Sequence, residues 1–412
     1  MDMSKDMDQT PTNIYKYTAN MTMVLDDENY VIDNIHIKNI AIDYNYKEMN
    51  MPMIFATVVV DTEIIDKMVQ NQDKAVIILD MKRAIANSDM PDLYTDYIVD
   101  KFIYFISEDI NKMQKLNEEG DEIREDFNTE SMHFKLTSIG LLSLDCVNNN
   151  KKSINGVING KLSSIMYYLT GHLPVLIEPP SRNTMISNQF IPPTNSVSQS
   201  LEYLNSLHTF YHSAYRFFID FDCTYLLSSS GNIVKRKGDK INSIILNLKN
   251  AYDVGSKTQG MSFDEVQGVY TIDIDGALCE LADNHVSEKS YSKISAANTS
   301  GSLINNKLSN RTSESVVTEK SKTVRIVNDN EGLLENMVSK LNISAIQLLV
   351  QKVDIDASIF TMNKEYIVKA DDVYGTDKYN GRYILSRKRE LYIREDEDSI
   401  VNVMLLLEKI PS

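Results

Sequence analysis

The chain has 412 residues, of which 42% are hydrophobic and 24% charged, giving room for two to four domains at roughly 100–200 residues each. A formal charge of −16, from 58 acidic and 42 basic residues, argues against a protein whose main task is to neutralise phosphates, and no stretch approaches the ~18 apolar residues of a membrane helix. Three widely spaced cysteines, Cys146, Cys223 and Cys279, suggest neither a disulfide framework nor a Cys-based zinc site, so reduced thiols in a cytosol are expected.

The opening residues are acidic and lack the apolar core of a secretory signal, which predicts a chain made in a cytoplasm. Residues 1–20 read as a polar N-terminal arm. Alternation then appears at Ile35 and Ile37 and at Ile40, Ile42, Tyr44 and Tyr46, the period of half-buried strands. Ile54 to Val60 continues β-branched, and Asp61-Thr62 opens a short helical pattern with Ile64, Ile65, Met68 and Val69 on one face. Val76 to Met81 and Phe102 to Ile106 predict further strands, with a solvated acidic loop from Glu118 to Asp126. Residues 21–150 are therefore expected to form a first β-barrel or sandwich carrying one helix.

The polar run Asn148-Asn149-Asn150-Lys151-Lys152 marks a boundary. Residues 151–232 read as an α/β module. In it Glu178-Pro179-Pro180 and Ile191-Pro192-Pro193-Thr194 frame a loop, because each proline fixes its own φ and biases its predecessor out of the helical region. Val197, Leu201, Leu204, His208, Tyr211 and Tyr215 keep the 3.6-residue period, predicting an amphipathic helix over 196–215 with Ser196 as its cap. Phe217 to Leu227 reads as one strand closed by the turn Ser228-Ser229-Ser230-Gly231-Asn232. Residues 233–330 are strand-rich at Ile244 to Leu248 and Tyr270 to Ile274, then polar enough over 285–323 to predict a long loop. Residues 331–412 combine a helical pattern at Leu333, Leu334, Met337, Val338 and Leu341 with strands Ile346 to Val353, Glu365 to Ala370, Arg382 to Ile393 and Val401 to Ile410, expected to belong to a second barrel. The fold class is thus α+β, mainly β.

Chemistry is sparse. His208 and His212 lie four apart on the predicted helix, but no Glu follows in the HExxH manner and no third metal ligand is indicated. Asp273-Ile274-Asp275-Gly276 starts like a calcium loop, yet Ala277 and Leu278 stand where oxygen ligands are needed. Gly156 to Lys161 is one residue short of a phosphate loop between its glycines, and Leu162 replaces the magnesium-binding hydroxyl. Asp220 with Asp222, and Asp371 with Asp372, are carboxylate pairs of the kind glycoside cleavage uses, in a chain where carboxylates are common. Arg387-Lys388-Arg389 beside Glu390 and the charged run Arg394 to Asp398 read as a mixed-charge edge hairpin that discourages stray strand pairing. No catalytic residue, cofactor site or metal site is assigned.

The order of features carries a resemblance. Ile35 to Tyr44 followed by Met51-Pro52-Met53-Ile54, then the two proline motifs, Leu201-Glu202-Tyr203-Leu204, Phe210-Tyr211 and Phe218 to Leu227, and finally Tyr379-Asn380-Gly381-Arg382-Tyr383-Ile384-Leu385-Ser386, resemble the central baseplate hub proteins of contractile-tailed bacteriophages. The resemblance implies two tail-tube-like barrels per chain and a homotrimer, so that three copies present six similar barrels and join a sixfold tail tube to a threefold central spike. It also implies a virion protein of the tail baseplate, assembled in the host cytoplasm, with the tail tube and spike proteins as partners and wedge and tape-measure proteins alongside. Under it the acidic composition would line a channel through which DNA slides without sticking. The first alternative is another phage tail or injection-machine structural protein; two more belong to other classes, a baseplate-borne cell-wall hydrolase and a monomeric binding module of two β domains.

Overall fold

The structure, a computed structural model, describes residues 14–25, 28–47, 49–72, 74–86, 94–107, 134–151, 156–171, 174–249, 257–275, 278–280, 303–304, 324–325, 345–350, 356–370, 379–395 and 398–410. The helical pattern at 333–341, most of the 285–323 stretch, the acidic loop at 118–126 and the pair Asp371/Asp372 lie outside these residues.

Strands β1 (Ile14–Leu25) and β2 (Glu28–Ile32) form the first hairpin, followed by β3 (Ile37–Asn45) and β4 (Met53–Asp61). Residues 14–20 of the expected polar arm thus belong to a strand; Tyr17 and Ala19 are buried there, so alternation hidden among polar neighbours overrides composition. Helix α1 (Thr62–Gln70) starts where Asp61 accepts a hydrogen bond from the Glu63 amide at 2.9 Å, and it buries Ile65 and Met68. Strands β5 (Val76–Ala86), β6 (Thr95–Ser107) and β7 (Phe134–Ser143) complete the unit.

The middle of the chain contains helices α2 (Leu144–Asn150), α3 (Leu162–Thr170) and α4 (Val197–His208), strands β8 (Gly156–Lys161), β9 (Val175–Ile177) and β10 (Met185–Ile191), and the pair β11 (Tyr215–Ile219) and β12 (Thr224–Ser228). The Ser196 hydroxyl caps α4 as expected, accepting from the Gln199 amide. The helix stops at His208 rather than running to Tyr215, because Thr209 turns into positive φ (38°) and the Asn205 side chain takes the Phe210 amide at 2.9 Å. The single strand expected over 217–227 is two antiparallel strands that reverse at Asp220–Cys223, where the Asp220 amide donates to the Cys223 carbonyl.

The last part holds β13 (Ser243–Lys249), β14 (Lys257–Asp264), β15 (Val269–Asp275), β16 (Leu278–Glu280), the short pair β17 (Leu303–Ile304) and β18 (Val324–Arg325), and β19 (Ala345–Val350). It ends in β20 (Glu365–Ala370), β21 (Gly381–Glu395) and β22 (Asp398–Lys409).

Fifteen strands join in one sheet. One run goes β21-β3-β4-β7-β6-β5-β1-β22 and returns to β21, with every ladder antiparallel. The seam between β1 and β22 is one residue pair, Tyr17 opposite Ser399, so the ring is not a continuously laddered barrel. The other run goes β14-β15-β13-β20-β21-β22-β19-β16, with β13 parallel to both β15 and β20, and among the described residues its ends β14 and β16 do not pair. The chain is mainly β as expected; the two separate closed barrels are instead two eight-strand runs that share the β21–β22 hairpin.

Two hydrophobic cores result. One fills both runs, with Met21, Ile42, Val58, Leu79 and Phe102 from the first and Leu246, Ile272, Tyr366 and Leu405 from the second. The other belongs to the middle module and gathers Cys146, Leu162, Met166, Leu201, Leu204, Phe210 and Leu226. Burial of this apolar area is what stabilises each unit.

Candidate functional site: the shared hairpin and its junctions

Strand β21 is central, paired with β3 on one side and β22 on the other, and with β20 near its start. The expected edge hairpin is therefore corrected: β21 is a central strand, and Arg387, Lys388 and Glu390 find their partners within the sheet. Arg387 makes a forked contact with Asp43 of β3. Ser386 donates to Glu408 of β22 at 2.8 Å, and Lys47 pairs with the same carboxylate at 3.0 Å. Lys388 faces inward, its ammonium 2.7 Å from Glu390 and 3.9 Å from the centre of the Tyr44 ring. Glu390, fully buried, also accepts from the Tyr392 hydroxyl at 2.6 Å and the Tyr97 hydroxyl at 3.2 Å. Both tyrosine hydroxyls reach the same oxygen, Oε2, while the buried Oε1 takes no hydrogen bond and is balanced by the Lys388 charge alone.

Arg216 of β11 ties the middle module to the shared hairpin. Its guanidinium donates to the carbonyls of Ser228 at 3.3 Å, Met362 at 3.2 Å and Leu385 at 3.1 Å, three separate segments. Burial pushes its pKa down to about 10, while the nearby carboxylates Glu408 and Glu178 oppose the shift. Beside it Glu178 accepts from the Ser228 amide and from the Asn232 side chain, both at 2.7 Å. The Glu-Pro-Pro motif thus places a buried carboxylate as a strut. Phe218 completes the contact, edge-on to Tyr46 at 4.6 Å between ring centres.

A cavity of about 490 Å³ opens where the first run, the middle module and the Asp356–Lys364 turn meet. Asp220, at the end of β11, lines it with Tyr44, Tyr97, Tyr225 and Lys388, and burial pushes the Asp220 carboxyl up to about 6. Asp222 does not converge with Asp220 on a shared proton; it pairs with Arg236 at 2.8 Å.

The other sequence candidates separate. His208 ends α4 with its Nε2 3.2 Å from Gln189, whereas His212 lies beyond the helix, so the four-residue spacing does not place both rings on one helical face. Asp273 sits on strand β15, held by Asn247 at 2.8 Å and Lys249 at 3.0 Å, and Gly276 falls outside the described residues. Gly156 to Lys161 forms β8 and leads straight into α3. Burial pushes the Cys146 thiol up to about 12 and the Cys223 thiol to about 11, the opposite of nucleophile activation. Among the described residues no group of three His, Cys, Asp or Glu side chains is placed to hold a metal ion, and no helix is long and apolar enough to cross a membrane. Sequence reasoning misses Arg216, and it places Lys388 and Glu390 on an exposed edge where the structure buries them as a pair. The only signal was polar residues interrupting strands, which sequence alone assigns to solvent.

These features define a mainly β protein whose polar groups are spent on joining sheets. The chain belongs to the family of the bacteriophage PBS1 gene 109 protein, whose model matches residues 12–410. No curated protein sequence matches it. Among solved structures it is similar to a tail protein from Neisseria meningitidis MC58, at 9% identity and TM-score 0.39 over 95% of this chain and 96% of that one. It is also similar to the 43 kDa tail protein of prophage MuSo2 from Shewanella oneidensis, at 9% identity and TM-score 0.40 over 94% and 96%. A chain of the half-lidded Francisella PdpA–VgrG complex matches at 10% identity and TM-score 0.41, over 96% of this chain and 58% of that one.

Proposed function

We propose that this chain is a structural protein of the phage tail, a trimeric baseplate hub that joins a sixfold tail tube to a threefold spike. The observation that carries this reading is the pair of eight-strand runs within one polypeptide, locked together by a common hairpin. Three such chains offer six comparable sheets in a ring that still has threefold symmetry, which is the geometry an adaptor between mismatched symmetries requires. In this reading 21–150 is the first barrel domain, 151–232 the inserted α/β module, and 331–412 supplies the strands that complete the second. The tube docks above and the spike below, through interfaces of the large, permanent class, with wedge and tape-measure proteins alongside. The chain's excess of 58 acidic over 42 basic residues suits a channel wall that repels DNA.

Mass photometry of the purified chain, alone and with tail tube protein, tests the stoichiometry. A threefold species is expected; a chain that stays monomeric in both samples rules the adaptor out. Density for the chain in intact tails checks the channel, and a lining rich in Lys and Arg removes the DNA-sliding role.

A further inference from the structure

We infer that the cavity between the first run, the middle module and the Asp356–Lys364 turn binds a small oxyanion, such as phosphate or a short polycarboxylate, between the Lys364 and Lys388 ammonium groups. Nothing in this inference depends on the hub reading.

Size is the first argument. At about 490 Å³ the cavity lies inside the ~300–1,000 Å³ range of small-molecule sites. Sign is the second. Its lining carries four basic residues, Arg236, Lys237, Lys364 and Lys388, against three acidic ones, Asp220, Asp222 and Asp239. With Glu390 paired to Lys388 behind the lining, the charges here balance four to four, in a chain with 42 basic and 58 acidic residues overall.

The third argument is unspent hydrogen-bonding capacity. The side chains of Lys364 and Lys388 are each only 4% exposed, so water cannot freely solvate them. An ammonium has three donors. Lys388 lies 2.7 Å from Glu390 as an ion pair, with no hydrogen bond to that oxygen, and rests against the Tyr44 ring. Lys364 donates to the Ile359 carbonyl at 2.9 Å and faces Asp239 at 3.4 Å. Both residues line the cavity, and burial holds the Lys364 pKa down, with Asp239 opposing the shift and the positive charge of Lys388 adding to it. An anion between the two cations offsets that repulsion and accepts charge-assisted hydrogen bonds from them. The Thr361 hydroxyl and Asn363 amide line the same cavity.

Asp220 is the one carboxylate in the lining whose charge opposes an incoming anion without a cation of its own within ion-pair distance among the described residues. Its carboxyl is already pushed up to about 6 by burial, so a modest further rise lets it take a proton and donate to the ligand.

Calorimetric titration of the full chain at constant ionic strength, with inorganic phosphate in one arm and citrate in another, tests the site. Saturation at one ligand per chain with a millimolar or tighter Kd is expected in at least one arm. Lys364→Gln should weaken that binding at least about tenfold, the loss of one buried charge-assisted contact. Should that variant not fold, Ser358→Glu places a carboxylate at the exposed rim and should weaken binding several-fold. Lys240→Gln, at an exposed position outside the cavity lining, should change nothing. The inference is overturned by no saturation in either arm up to about 50 mM, far weaker than the millimolar scale, or by unchanged affinity in Lys364→Gln or, where that does not fold, in Ser358→Glu.

Discussion

The Lys388 ammonium lies 2.7 Å from Glu390 on the same strand, two residues apart, with both side chains buried on one face of β21. Alternate residues of a strand share a face, so this pair is built by local geometry and then sealed by Tyr44, Tyr97 and Tyr392 from three strands. Replacing Lys388 by Met leaves a buried carboxylate without its cation and should cost about 3–5 kcal/mol. The double variant Lys388→Met, Glu390→Gln should recover at least half of that loss. Urea unfolding of both measures it; a single variant within about 1 kcal/mol of the parent chain contradicts the pair's importance.

Arg216 should be intolerant of shortening. Arg216→Met strips the donor from the carbonyls of Ser228, Met362 and Leu385 and should cost about 2–4 kcal/mol, since buried acceptors left unpaired carry their full desolvation penalty. Arg216→Lys should fall between, because one ammonium cannot span the planar fork. Chemical denaturation reports the order, and equal stabilities for the three chains would refute the clamp.

Asp220 makes stability depend on pH in a defined direction. Its folded pKa of about 6 lies above the ordinary 3.8, with burial as the main cause, Asp222 and Glu390 adding to the rise and Lys388 opposing it. Between these values the folded state keeps a proton that the unfolded chain has released, so stability falls as pH rises through the window, and the cost is fully present above it. Asp220→Asn should therefore be more stable than the parent by about 3 kcal/mol at pH 8 and nearly equal to it at pH 4. Thermal melts across that range decide; a benefit confined to acid pH reverses the sign and discards the argument.

The turn between β14 and β15 requires glycine at Gly268. Its φ is +67°, and an added Cβ would meet the Lys240 carbonyl oxygen at 2.6 Å and the Asn242 side chain at 2.3 Å. Gly268→Ala should cost about 1–3 kcal/mol from strain in the left-handed region and the backbone clash. An unchanged melting temperature would show that the turn relaxes freely.

Strands that alternate, such as β4 and the first part of β20, and the capped starts of α1 and α4, are legible because period and cap chemistry act within a few residues. The end of α4 was not. Tyr211 and Tyr215 prolong the apolar spacing past the point where Thr209 breaks the backbone, so spacing alone overshoots. Asp220 and Asp222 read as a carboxylate pair within one strand, whereas they mark the reversal between β11 and β12 and line a cavity. The charges of β21 were misread for the same reason: partners such as Asp43 and Tyr97 are hundreds of positions away, and no local window contains them. The sharing of β21 and β22 by both runs is likewise a property of pairing at long separation.

That sharing ties the mechanical fates of the two halves. A pull that peels β3 from β21 loads the same fifteen-residue backbone that anchors β20, and β22 carries tension into β19 along six residue pairs but into β1 only through Tyr17 opposite Ser399. Neither half can yield without loosening a strand that the other requires, so the molecule resists force as one continuous girder rather than as two beads on a string.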